Sequence, residues 1–168
     1  MNIWYLITLI GEPEMWMVST GILLVLYLFL RKKLDNGKKD VVKKGFFVFI
    51  VSVWLTLGVV FGLKSVINIE RTCIPCEPPV EGCNPYCPSD STFPSGHSAA
   101  IFAVFSSIYV SVRKKWFWPL FLIPFFVSIS RYFLFVHNMI DIVSGTVIGV
   151  FIPIIVLALY EKILGFKS

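Results

Sequence analysis

Charge is what this sequence has least of. Only 15% of its 168 residues are Asp, Glu, Lys or Arg, against about 25% in ordinary soluble domains. Hydrophobic residues make up 57% of the chain, and the mean hydropathy is +0.81. That balance excludes a water-soluble domain and requires an integral membrane protein. Histidine is scarcer still, with His97 and His137 alone. No basic residue occurs in the first ten and no small-residue cleavage site follows, so no cleavable signal peptide is expected. The net charge of +5 does not point to nucleic acid, because the basic residues stand beside apolar runs, where topology explains them.

What is present is a series of apolar runs. Ile3–Ile10, with Trp4 and Tyr5, is too short to cross a bilayer and is followed by the turn-prone Gly11–Glu12–Pro13. Residues 1–14 read as an interfacial or re-entrant segment, or else as a truncated first span. Met15–Leu30, Phe46–Leu63, Gly96–Val112, Trp116–Ser130 and Asn138–Tyr160 read as spans, the fourth interrupted by Pro119 and Pro124. The expected architecture is an all-α integral membrane bundle of five or six transmembrane helices, forming a single domain over residues 1–168. Gly145 and Gly149 have the spacing that lets two membrane helices approach closely. Whether that contact lies within or between subunits, and so the oligomeric state, stays open.

Basic residues set the orientation. Arg31–Lys44 is rich in them and reads as a cytoplasmic loop, with anionic-lipid binding as the alternative. Placing it inside puts every basic residue inside except Lys64, Arg71 and Arg131. Those three oppose the topological bias and need another explanation. Both histidines and Asp141 fall on the same outer side. The expected protein therefore sits in the cell or inner membrane, N-terminus out and C-terminus in, with its chemistry at the outer face.

The outer loop, residues 64–94, holds Cys73, Cys76, Cys83 and Cys87. Paired cysteines at short spacing fit a zinc site. An outward location favours two disulfides, with three connectivities possible. Glu70, Glu77, Glu81 and Asp90 of this loop are expected to solvate it.

The polar residues form a pattern. Lys64 and Arg71 share a face if the second span continues as a helix through both. Ser95 is a good helix cap, Gly96 permits close backbone approach, and the helix start offers free N–H groups to an anion. Arg131 closes one span, and His137 opens the next with Asp141 one turn on. Ionisable groups this deep in apolar sequence read as functional. Together they suit a phosphate, with cationic donors for its oxygens and imidazoles as nucleophile and acid.

Lys64-x6-Arg71, Pro94-Ser95-Gly96-His97 and Ser130-Arg131-x5-His137-x3-Asp141 resemble the three-part signature of the type 2 phosphatidic acid phosphatase family. Vanadium haloperoxidases and bacterial acid phosphatases share that signature. One departure is Thr72, where the family usually has proline. The resemblance implies a lipid phosphatase that uses no metal or other cofactor. His137 would be the nucleophile, Asp141 its orienting carboxylate and His97 the acid. Lys64, Arg71, Ser95, the Gly96 amide and Arg131 would bind the phosphoryl oxygens. Substrates within the family include phosphatidic acid, phosphatidylglycerophosphate, lipid A 1-phosphate and polyprenyl pyrophosphates. A phosphotransferase using the same site and a non-catalytic scaffold for anionic lipid are the rival readings. The only expected partners are the lipid phosphate substrate and the surrounding membrane lipids.

Overall fold

A computed structural model describes residues 3–30, 35–76 and 81–164. Arg31, Lys32 and Lys33 of the basic segment, Glu77 of the cysteine loop and Lys167 of the tail lie outside the described residues. The order is α1 (Ile3–Leu9), α2 (Pro13–Leu30), α3 (Asn36–Ile67), α4 (Gly96–Val112), α5 (Leu122–Phe133) and α6 (Met139–Leu164), with a 3-10 turn at Lys115–Phe121 leading into α5. Among the described residues there is no strand, only an isolated bridge between Pro75 and Asn84. The protein is an all-α integral membrane protein.

Among the described residues, four stretches are long and apolar enough to cross a membrane: Ile3–Phe29, Lys39–Ile67, Trp116–Phe133 and Met139–Ile163. The shorter α4 is enclosed among α3, α5 and α6, and its Ala99, Ala100, Ile101 and Ala103 are fully buried. Its bounds are the ones its sequence predicts, because Ser95 caps its start. The N-terminal run and the first expected span form one apolar stretch broken at residues 10–12. α3 differs more. Its 32 residues rise about 48 Å, beyond a hydrocarbon core of about 30 Å. Residues 36–44, read as loop, are its first turns; Lys and Asp on a helix end that leaves the core cost little.

α4 and α6 form the central pair. A Cβ on Gly145 would overlap the Ser95 carbonyl oxygen and lie 3.2 Å from Ser98 Cβ; one on Gly149 would overlap the Ala99 carbonyl oxygen and lie 2.9 Å from Phe102 Cβ. The close helix contact read from these glycines therefore lies within one chain. α3 seals the pair: Val48 packs with Val156 and Leu157, and Phe49 and Val53 pack with Val104. In lipid such backbone proximity, rather than escape from water, holds helices together.

The cysteine loop carries two nested disulfides, Cys73–Cys87 and Cys76–Cys83. This answers the choice between zinc and disulfides and selects one of the three connectivities. The N-terminal segment is held by rings: Trp4 stacks on Phe133 of α5, and Tyr5 lies tilted against Tyr86 of the cysteine loop.

A Leu in place of Gly149 has no space against α4, and overpacking of this kind costs about 1–3 kcal/mol or more. Gly149→Leu should lower the melting temperature in detergent, whereas Gly62→Ala, with nothing within 4 Å of the new Cβ, should not. Equal melting of the two variants would contradict the α4–α6 contact.

Candidate active site

Every site residue sits at one end of the α3–α4–α5–α6 bundle. The starts of α4 and α6 are tied to each other by a bond from the Ser95 N–H to the Asp141 carbonyl oxygen, 3.0 Å. Asn138 precedes α6 and accepts from the Asp141 N–H at 3.0 Å, while Asp141 Oδ2 accepts from the Asn138 N–H at 3.1 Å. This reciprocal cap fixes the Asp141 carboxylate one turn from His137. Thr92 donates to the same oxygen at 2.7 Å.

His137 Nδ1 lies 3.4 Å from Asp141 Oδ2 and 3.4 Å from Thr92 Oγ1. Its Nε2 faces the other way, 3.4 Å from Arg71 Nη1. The ring is 7% exposed. Burial holds its pKa down to about 4, the hydrogen bond to Asp141 opposing this and Arg71 and Arg131 adding to it. At neutral pH the imidazole is uncharged, with the Nδ1 side turned to the carboxylate.

Lys64 stands in the last turn of α3, but Arg71 does not continue that helix. α3 ends at Ile67, and Asn68 adopts the left-handed conformation (φ 43°) as its C-cap, one that Asn tolerates well. The chain reverses there, so the expected shared helical face is replaced by a shared partner. Asp90 places Oδ2 2.7 Å from Lys64 Nζ and Oδ1 2.6 Å from Arg71 Nη2. The Ser91 carbonyl oxygen accepts from Lys64 Nζ as well. Arg71 Nη1 also donates to the Val136 carbonyl at 2.6 Å. Burial opposes the charge of Asp90, yet the hydrogen bonds from Lys64 and Arg71 outweigh it and hold its carboxyl below the usual range. Asp90, read as loop solvation, is thus a carboxylate bridging two cations.

Arg131 enters from α5, 4% exposed. Its Nη1 donates to Thr8 Oγ1 at 3.1 Å, and its buried Nε has no partner among the described residues. A buried guanidinium N–H without a partner is a feature that an anion would satisfy. His97, in the first turn of α4, pairs its Nε2 with Glu12 Oε2 at 3.0 Å. Ser95 departs from expectation. Its hydroxyl accepts from Ser98 N and Ser98 Oγ as the α4 cap, and the residue is fully buried. It does not line the cavity described next, so the cap uses the group assigned to phosphate.

A cavity of about 670 Å³ joins these groups, lined by Lys64, Arg71, Asp90, Gly96, His97, Arg131 and His137. It continues between α2 and α3 along Met17, Trp54, Leu57, Gly58, Val60 and Phe61. One end is cationic with two imidazoles, and the other is apolar. Thr92, Asn138, Asp90 and Glu12 are the participants that sequence reasoning missed. Asn138 alone carried a readable signal, as a capping residue directly before an apolar run.

No curated protein matches the sequence. The fold is similar to the crystal structure titled the first transmembrane PAP2 type phosphatidylglycerolphosphate phosphatase from Bacillus subtilis, with a TM-score of 0.70 and 22% identity, covering 98% of this chain and 78% of that one. The family model described as the PAP2 superfamily matches residues 46–164, the stretch that carries Lys64, Arg71, His97, Arg131, His137 and Asp141. The chain belongs to the PAP2 superfamily.

Proposed function

We propose that this membrane phosphatase removes a terminal phosphate from a lipid through a phosphohistidine formed on His137. The observation that carries the reading is the placement of His137, its Nδ1 side on Asp141 and its Nε2 toward Arg71 in a cavity shared with Lys64 and Arg131.

In the first step the Nε2 lone pair attacks phosphorus and the bond to the lipid oxygen breaks. His97 gives its proton to the leaving oxygen. Asp141 and Thr92 hold the ring and balance the charge that it gains. In the second step water attacks phosphorus and yields its proton to His97. The P–N bond breaks and free phosphate leaves. Lys64, Arg71, Arg131 and the Gly96 amide stabilise the equatorial oxygens, with the phosphoryl group taking the seat that Asp90 fills on Lys64 and Arg71. All of these donors come from the chain itself, and the reaction needs no metal.

The apolar extension of the cavity between α2 and α3 supports a lipid over a soluble ester. Its substrate class is a phosphate monoester or pyrophosphate headgroup: phosphatidylglycerophosphate, phosphatidic acid, lipid A 1-phosphate or a polyprenyl pyrophosphate. The name of the Bacillus subtilis structure puts phosphatidylglycerophosphate first for trial. The site is proposed to face outward. Two disulfides lie on its side of the bundle, as an oxidising compartment allows. Lys44 and Arg113 pair with Glu161 at 2.5 and 2.9 Å at the opposite end.

Purified protein in lipid–detergent micelles with chelator should release phosphate from at least one of these lipids. His137→Ala should reduce that rate by at least about 10³-fold. Release from none, or release untouched by the substitution, would sink the reading, and transfer of labelled phosphate to an alcohol instead of water would make the protein a phosphotransferase.

The acidity of His137 gives a second expectation. Protonation removes the attacking lone pair, and the folded value near 4 lies below an ordinary histidine's about 6.5. The acid limb of kcat/KM, corrected for the substrate phosphate's own ionisation near about 6, should therefore fall at about pH 4. A corrected limb near 6.5 would contradict the buried, neutral histidine.

Orientation is testable in intact cells. A membrane-impermeant maleimide should label the loop cysteines only after reduction, and without opening the cells. Labelling that needs permeabilised cells would reverse the topology.

A further inference from the structure

The break between α1 and α2 falls inside an apolar stretch, where interrupting a helix strips backbone groups of partners. In membrane proteins such breaks are tolerated where they line a cavity. Here the freed groups are met locally. The Gly11 N–H donates to the Thr8 carbonyl at 2.9 Å, the Glu12 N–H to the Leu9 carbonyl at 3.3 Å, and the Trp16 indole to the Ile10 carbonyl at 2.8 Å. Gly11 packs so tightly on α5 that a Cβ would overlap Val127, and it would sit 3.6 Å from His97 Cβ. The elbow is thus fitted against α5 and the first turn of α4 at His97.

What the elbow brings is a carboxylate. Glu12 Oε2 lies 3.0 Å from His97 Nε2, and both residues line the cavity. The other charged groups around that cavity are Glu14, Lys64, Arg71, Asp90 and Arg131. Asp90 is engaged by Lys64 and Arg71, and of the carboxylates lining the cavity it is Glu12 that bonds to His97.

We propose that Glu12 is the positioning residue of the leaving-group half-reaction, orienting His97 and supplying the negative charge opposite its protonated ring. The inference rests on the phosphatase reading. When the P–O bond breaks, the electron pair stays on the lipid oxygen and the His97 proton moves to it. The ring is left neutral and still held by Glu12. When water attacks the phosphohistidine, its proton returns to the same ring. His137 and His97 thus each have a carboxylate, one from α6 and one from the elbow.

A general acid matters only when the leaving group needs a proton, and it is worth about 10²–10⁴-fold. An alkyl lipid phosphate releases a strongly basic alkoxide, whereas p-nitrophenyl phosphate releases a stable phenolate. Glu12→Gln keeps a hydrogen-bond acceptor but loses the charge. It should lower kcat on the lipid by about 10²-fold with KM little changed, and lower the first-turnover release of p-nitrophenol from p-nitrophenyl phosphate by less than about threefold. Glu12→Asp should restore part of the lipid rate. Melting temperatures in detergent show that the variants are folded. Equal losses on both substrates, no loss, or a faster lipid rate would overturn the proposal, the last marking Glu12 as a competitor for the leaving-group seat. The phosphatase reading is judged separately, by whether unaltered protein hydrolyses the substrates and His137→Ala does not. If unaltered protein hydrolyses neither, both fall together.

Discussion

The packing of α6 against the backbone of α4 governs the rest of the molecule. Gly145 and Gly149 bring the helices so close that the Ser95 and Ala99 carbonyls occupy the space a side chain would need. The bond from the Ser95 N–H to the Asp141 carbonyl then sets the register of one helix start against the other. His97 rides on the first turn of α4, and His137 stands two residues before α6, next to the Asn138–Asp141 cap. Their separation is therefore set by two helix starts tied to each other and by the cap that anchors the residue after His137 to α6. Precise placement of two rings demands such a base.

Charge is the second constraint. Lys64, Arg71 and Arg131 lie together at the end of an apolar bundle, where isolated ions are costly. The chain answers with two acids drawn from outside that bundle. Asp90 comes from the disulfide loop and spans Lys64 and Arg71; Glu12 comes from the elbow and reaches His97. Both belong to covering segments, one closed by nested disulfides and the other held to α5 by the Trp4–Phe133 contact and to the disulfide loop by the Tyr5–Tyr86 contact. The cations sit on the core helices or beside them, and their counter-charges are delivered by the cover.

Much of this was legible in the sequence because apolar runs and capping residues are local signals. The Ser95 cap fixed the start of α4, and the glycine pair marked a close contact. The part that was not legible depends on the chain doubling back. Lys64 and Arg71 meet through a reversal at Asn68 and a third residue, Asp90, not through a helical face. Ser95 reads both as a cap and as a phosphate ligand; the cap was legible, and that the buried hydroxyl also accepts from the Ser98 side chain and stays off the cavity was not. Glu12 and Thr92 touch the histidine machinery across 85 and 49 positions, a distance no spacing rule can cross. Connectivity of the four cysteines likewise required the folded loop.

The cavity's apolar arm between α2 and α3 also changes what abundance means for this protein. A site reached from water responds to moles per litre. On the proposed lipid-phosphatase reading, a site reached along Trp54, Leu57 and Phe61 would meet its substrate in two dimensions, among neighbouring acyl chains. Its occupancy follows the fraction of bilayer lipids that carry the right headgroup, whatever the volume of the cell around them. Dilution by inert lipid would slow it as surely as an inhibitor, and a patch enriched in substrate would speed it without any change in total amount.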